Sequence, residues 1–220
     1  MATDAVDEPT TRPLLTLGRV HRLRVQVGYR ARPDGPAYQQ FLLDVPVPGL
    51  VAQGAFDEAR ALAALEPVVY AGAETPRHYS IHEHRWHTSW GPSPGALEIG
   101  LLVTTGTPTA ATSEAPLDGV VQAFRDLLEL VGRPGPVPAS RDAAVQRART
   151  ATATAYALDA DALSLSTEEH HLATGSWRLR LRTTSGEGYD VVVGLVDGYA
   201  GSVRVRHAGR IEVFDSVGSE

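Results

Sequence analysis

The feature that most constrains the fold of this chain is an alternation of apolar and polar residues between Val20 and Tyr29. Successive side chains of a β-strand point to opposite faces, so this pattern predicts a strand with one buried face. Turn residues follow at 32–36, and a second strand pattern runs from Tyr38 to Val45. The two runs and the turn between them predict a β-hairpin.

The rest of the chain continues with strand and helix patterns. Further alternating runs predict strands at 77–90, 96–105, 163–171, 176–184, 188–196 and 202–207. Apolar residues at helical spacing, or clusters of helix-forming residues, predict helices at 56–65, 117–131 and 141–158. The last of these helices is rich in alanine and threonine, so we expect it to pack closely on its neighbour.

These elements predict an α+β fold, with antiparallel β-sheets and segregated helices. The proline-rich stretch at 133–139 is typical of a stiff linker. We therefore expect two subdomains, at 14–132 and at 140–213. Residues 1–13 are expected to be a disordered tail, and residues 214–220 a C-terminal tail.

Composition excludes several kinds of chemistry. The 220 residues include no cysteine and no lysine, which rules out disulfides, thiolate nucleophiles, Schiff-base lysines and a P-loop lysine. No apolar run is long enough to span a membrane, and the first residues lack a secretory signal pattern, so we expect a cytoplasmic protein without a membrane partner. The formal net charge of −6 makes nucleic acid an unexpected partner.

One segment, His78 to Trp90, concentrates residues that bind metals or anchor interfaces. It holds four of the eight histidines and two of the three tryptophans of the chain. On a strand, His78, His82 and His84 would share one face with both tryptophans, and His87 would lie on the other face. This segment is the main candidate site.

The first interpretation of this segment is a protein contact surface. Tryptophan is enriched among the residues that dominate binding energy at interfaces, whereas a metal site does not need it. The pattern therefore favours a protein partner or self-association, with no cofactor. The predicted contact residues are Trp86, Trp90, His84 and His87.

The alternative interpretation is a metal centre. The imidazoles of His78, His82 and His84 would hold Zn²⁺ and leave one position open for water. Glu83 or Glu98 would then serve as the base of a metal-dependent enzyme. Glu83 suits this role less well, because alternation directs its side chain away from the histidines.

A third candidate site consists of arginines in the C-terminal part. They alternate with apolar residues in two predicted strands and would crowd one face of a shared sheet. Such a face would bind an anion or nucleic acid, unless Glu168, Glu169 and Asp190 neutralise it. The arginines are Arg178, Arg180, Arg182, Arg204 and Arg206.

Residues 140–207 are predicted to form one helix and then a meander, whose strands include Trp177-Arg-Leu-Arg-Leu and Tyr189-Asp-Val-Val-Val. This order resembles PepSY-like domains, in which an alanine-rich helix packs on a small antiparallel sheet. The resemblance implies a regulatory or inhibitory binding role without catalytic residues. Together with residues 81–91, this part is also similar to uncharacterised proteins of high-GC bacterial effector and conflict loci.

The sequence thus favours a non-enzymatic, cytoplasmic interaction or adaptor protein, accessory to a bacterial effector or defence system. The metal-dependent enzyme is the first alternative. Anion or nucleic-acid binding through the arginines is the second.

Overall fold

The computed structural model describes residues 20–48, 56–71, 73–86, 95–105, 115–132 and 138–210. The strands are β1 (Val20–Arg30), β2 (Ala37–Pro46), β3 (Tyr79–Trp86), β4 (Gly95–Thr104), β5 (Ser164–His171), β6 (Ser176–Arg182), β7 (Glu187–Val193) and β8 (Ser202–Arg210). The helices are α1 (Glu58–Ala63), α2 (Glu66–Tyr70), α3 (Ala115–Leu130) and α4 (Arg141–Tyr156).

The described strands form a single mixed sheet in the order β3-β4-β1-β2-β8-β7-β6-β5. Their pairings are antiparallel except that of β1 with β4, which is parallel. The pairing of β2 with β8 joins the four N-terminal strands to the four C-terminal strands. The predicted α+β class is confirmed. Residues 133–137 of the expected linker lie outside the described residues, so the subdomain boundary stays a prediction.

Different helices cover the two faces of this sheet. On the front face, which carries Val25 and Leu43, the N-terminal half packs against α1, α2 and α3. On the back face, which carries Gln26 and Leu42, helix α4 packs against β6, β7 and β8 of the C-terminal half. Each half of the sheet therefore has one face that is covered by helices and one that the described helices leave open.

Helix α4 lies as close to the sheet as its alanine-rich sequence predicts. Ala144, Ala148 and Ala151 are buried against the back face of the C-terminal half. Ser140 caps the helix, since its side chain accepts a hydrogen bond from the backbone N–H of Ala143. Because these side chains are small, α4 packs close to the sheet. The helix lies next to the open back face of the N-terminal half.

Two details differ from the sequence expectation. One helix is predicted at 56–65, but the structure has α1 and then α2, with Pro67 in the first turn of α2. Proline is well tolerated in the first turn of a helix, because the backbone N–H groups there have no hydrogen-bond partner within the helix. The parallel pairing of β1 with β4 also departs from an all-antiparallel sheet, because alternation along one strand does not specify which strand lies beside it.

Candidate functional site

The described part of the segment rich in histidine and tryptophan forms β3, which is an edge strand of the sheet. Its eight residues pair with β4 without a break in register, from Tyr79 opposite Val103 to Trp86 opposite Ala96. The other long side of β3 faces no described strand. Among the described residues, β3 is therefore a regular strand with one side available for pairing.

His82 and His84 share the back face of the sheet, as the alternation predicts. They lie opposite Gly100 and Glu98 of β4, and both imidazoles are exposed. Glu83 lies on the front face between them, which agrees with the expectation that it points away from the histidines.

The structure gives no support for a metal site formed by His78, His82 and His84. All three residues are described, and within the described part of the chain no group of three or more histidine, aspartate or glutamate side chains could hold a metal ion. His87 lies outside the described residues. Zinc binding by this segment stays a prediction.

The predicted contact residues are only partly visible. His84 is described in full, and the backbone of Trp86 ends β3. The side chain of Trp86 and all of His87 and Trp90 lie outside the described parts of the chain. The structure therefore describes the strand that precedes His87 and Trp90 in the chain, but not the side chains of the predicted tryptophan contacts.

The backbone of β3 presents donors and acceptors at its open side. The backbone N–H of Thr104 donates to the carbonyl of His78 at 2.8 Å, so residue 78 is bonded towards β4. In an antiparallel pair, successive residues direct their backbone groups alternately towards and away from the partner strand. The N–H and C=O groups of Tyr79, Ile81 and Glu83 therefore point away from β4.

Two large apolar side chains accompany these outward backbone groups. Tyr79 is 44% exposed and Ile81 is 40% exposed, and both lie on the front face of β3. A long, regular edge strand with exposed apolar side chains is a template for pairing with another chain.

The opposite edge of the same sheet, β5, is built differently. Its register with β6 is interrupted between Leu165 and Thr167, and its exposed residues are polar, including Glu168 and Glu169. Bulges and charged residues are devices by which proteins block unwanted pairing at an edge. β5 has both devices, whereas β3 keeps a regular register and its apolar side chains.

A groove of about 550 Å³ lies on the back face between α4 and β3. The groove reaches the backbone of the sheet at Gly100, which has no side chain. The space above Gly100 is open, since a Cβ built there would come no closer than 3.8 Å to any neighbour. One row of residues across five strands forms the floor: His82, Gly100, Gln26, Leu42 and Val203.

The exposed side of α4 forms one wall of this groove. Gln146, Thr150 and Thr154 recur every four residues and so make a polar stripe along the helix, with Arg147 beside them. The guanidinium group of Arg147 has no hydrogen bond or ion pair with any residue that the structure describes.

The acidic groups in the groove are already paired with arginines. Arg24 donates from Nη1 to Oε1 of Glu98 at 2.8 Å, and its Nε lies 3.8 Å from Oδ2 of Asp44. Arg22 donates to both carboxylate oxygens of Asp44, with 2.9 Å between Nη2 and Oδ2. Within the described residues, Arg147 is thus left as a cation without an acidic partner.

The five predicted arginines lie together on the front face of the C-terminal half, and we call this surface the arginine face. At its centre Asp190 accepts hydrogen bonds from Arg180 at 2.8 Å and from Arg206 at 2.7 Å. Partial burial acts to raise the pKa of Asp190, but the hydrogen bonds and charges of the two guanidinium groups outweigh it and lower the pKa. Anion binding at the arginine face stays a prediction.

The other two acids expected near the arginine face lie on different sides of the sheet. Oε2 of Glu169 is 3.8 Å from Nη1 of Arg178 on the front face. Glu168 lies on the back face and accepts a hydrogen bond from Arg141 of α4 at 2.8 Å. Of the three acids considered as neutralising groups, Glu168 is therefore directed away from the arginine face, because adjacent residues of a strand point to opposite faces.

Sequence reasoning missed the groove, because its residues come from strands and a helix that are distant in the chain. One usable signal was Gly100, since a glycine inside a strand pattern often marks a place where another group approaches closely. Arg147 and Thr150 carried no signal of their own, because a polar stripe on a helix is normally only its solvated side.

Comparisons with known proteins add no relative from which a role could be transferred. A scan against protein-family models and searches of curated proteins and of solved structures each found no match. None of the described helices is long and apolar enough to cross a membrane.

Proposed function

We propose that this chain is a protein-binding module, and that it binds an extended segment of a partner protein along the open side of β3. The observation that carries the proposal is the contrast between the two edges of one sheet. β5 has an interrupted register and polar exposed residues, whereas β3 has a regular register and exposed Tyr79 and Ile81.

Strand addition explains how β3 would bind. An incoming strand would form main-chain hydrogen bonds with the outward backbone groups of Tyr79, Ile81 and Glu83, which supply affinity. Side chains that lie directly opposite each other across two strands supply specificity. The fitting partner segment therefore places apolar residues opposite Tyr79 and Ile81 and a basic residue opposite Glu83.

The segment after β3 extends the same proposal. The contact residues predicted from sequence, Trp86, His87 and Trp90, directly follow the outward-facing part of the strand in the chain. In this proposal they add side-chain contacts at one end of the bound segment. The cellular setting that we propose is the bacterial cytoplasm, with the protein as an accessory of an effector or defence system, in keeping with its sequence resemblances.

A peptide-display selection against the full chain tests this function. The probe is a random library of peptides about ten residues long, the length of a long strand. We expect selected peptides to bind wild-type protein, and Ile81→Lys to weaken their binding about tenfold or more, as measured by fluorescence polarisation. Glu83→Pro should weaken binding similarly, because it removes an outward N–H without removing a bond to β4.

The matched control is Thr167→Lys, which places the same residue at an exposed position on the other edge strand. Its affinity should stay within about twofold of wild type. The proposal fails if no peptide is enriched, or if Thr167→Lys weakens binding as much as Ile81→Lys does. It also fails if sedimentation shows a dimer that Ile81→Lys dissociates, since β3 would then bind a second copy of this chain.

A further inference from the structure

We propose that the groove between α4 and β3 is a binding site for a small organic anion with an apolar body and one carboxylate, sulfonate or phosphate group. This site is separate from the open side of β3, because it lies on the back face of the sheet. It goes beyond the proposed function and does not depend on it.

The size of the groove suits such a ligand. Its volume is about 550 Å³, and sites for small organic molecules range from about 300 to about 1,000 Å³. The groove is bounded by the sheet below and by α4 on one side, so a small molecule there contacts both surfaces.

The floor suits an apolar body. Leu42, Val203 and Ala151 line the part of the groove next to α4. Gly100 continues the floor towards β3, where the missing side chain lets a flat group lie directly on the sheet. Burial of the ligand's apolar surface on this floor supplies the general driving force for binding.

The wall supplies the charge that selects an anion. Both acids of the groove, Asp44 and Glu98, are paired with arginines of β1, so they do not neutralise Arg147. Arg147 has no hydrogen bond or ion pair elsewhere in the described chain, and its guanidinium group can donate two parallel hydrogen bonds to one anionic group. The hydroxyl group of Thr150 lies one helical turn further along the same wall as another donor.

A matched pair of fluorescent probes tests the proposal on the full chain. 8-Anilinonaphthalene-1-sulfonate carries the anionic group, and N-phenyl-1-naphthylamine has the same rings without it. We expect saturable binding of the anionic probe, and we expect Arg147→Gln to weaken it about tenfold or more. The affinity of the neutral probe should change by less than about twofold in the same variant.

Three further variants separate this site from other surfaces. Arg182→Gln removes one positive charge from the arginine face and should leave the affinity for the anionic probe unchanged. Thr150→Phe adds a bulky ring at an exposed position of α4, so it should fold normally and abolish the binding of both probes. Ile81→Lys should leave probe binding unchanged, so that failure at the groove and failure at β3 can be told apart.

Three outcomes would overturn the proposal. The first is no saturable binding of the anionic probe up to about 1 mM. The second is an equal loss of affinity in Arg147→Gln and Arg182→Gln, which would show a general charge effect. The third is full binding by a folded Thr150→Phe protein, with folding checked by circular dichroism.

Discussion

Asp190 shows how one carboxylate organises the arginine face. Its side chain is 19% exposed and bridges Arg180 and Arg206, which would otherwise repel each other across β7. The bridge lowers the pKa of Asp190 despite its partial burial. A carboxylate with a lowered pKa in the folded state stabilises that state above the unfolded-state pKa, and loses this contribution as the pH falls through the folded-state pKa.

We therefore predict that Asp190→Asn destabilises the protein at neutral pH and changes little at acidic pH. The loss at neutral pH should be about 1 kcal/mol, because both arginines are partly exposed and solvent screens the pairs. Urea unfolding from neutral pH to about pH 3 measures it. The matched control Asp197→Asn removes an exposed partner of Arg125 and should show a smaller effect. A constant difference between Asp190→Asn and wild type across this pH range would contradict the prediction.

Helix α4 depends on small buried side chains for its close packing on the sheet. Ala148 is fully buried between the helix and the C-terminal strands. We predict that Ala148→Leu lowers the free energy of unfolding by about 1–3 kcal/mol, because a larger side chain forces the helix away from the sheet. Urea unfolding measures the change.

Thr154→Leu is the matched control for this prediction, since it places the same side chain on the exposed side of α4. Its stability should differ from wild type by less than about 0.5 kcal/mol. If the two variants have the same free energy of unfolding, α4 does not pack closely on the sheet at Ala148.

The elements differ in how far the sequence could predict them. Strand β1 was predictable because apolar and polar residues alternate from Leu23 to Val27, and the close packing of α4 followed from its alanines. The short helix α2 was missed, because Pro67 reads as the end of the preceding helix and equally as the start of a new one. The parallel pair of β1 with β4 could not be predicted, since pairing depends on contacts between distant segments.

Besides the pairing of β2 with β8, a buried amide is among the contacts that join the two halves of the molecule. Gln40 of β2 accepts a hydrogen bond from Gln26 and donates to the carbonyl of Ala155, in the last turn of α4, at 2.5 Å. This amide fixes the end of α4 beside the open back face of the N-terminal half, where the groove begins.

We predict that Gln40→Leu lowers the free energy of unfolding by about 1–2 kcal/mol, because it leaves the partly buried amide of Gln26 and carbonyl of Ala155 without their partner. Equilibrium urea unfolding checks it. Gln122→Leu is the control, since Gln122 forms an exposed hydrogen bond within α3. Equal stabilities of the two variants would show that the amide does not join the halves of the molecule.

The candidate site could be predicted from the sequence only in part. The sequence singled out β3 through its histidines and tryptophans, and the shared face of His82 and His84 follows from strand alternation. Two features depend on the assembled sheet. The open side of β3 exists because this strand comes last in the sheet order, and the groove exists because α4 covers only the other half.

The most direct test of the binding role of β3 is residue-resolved hydrogen exchange by NMR, with and without a peptide selected against the full chain. We expect the outward amides of Tyr79, Ile81 and Glu83 to gain about tenfold or more protection from exchange when the peptide binds. The exchange rates of the β5 amides should not change. Protection that appears in β5 or α4 while these three amides exchange as before would contradict the claim that β3 is the binding edge.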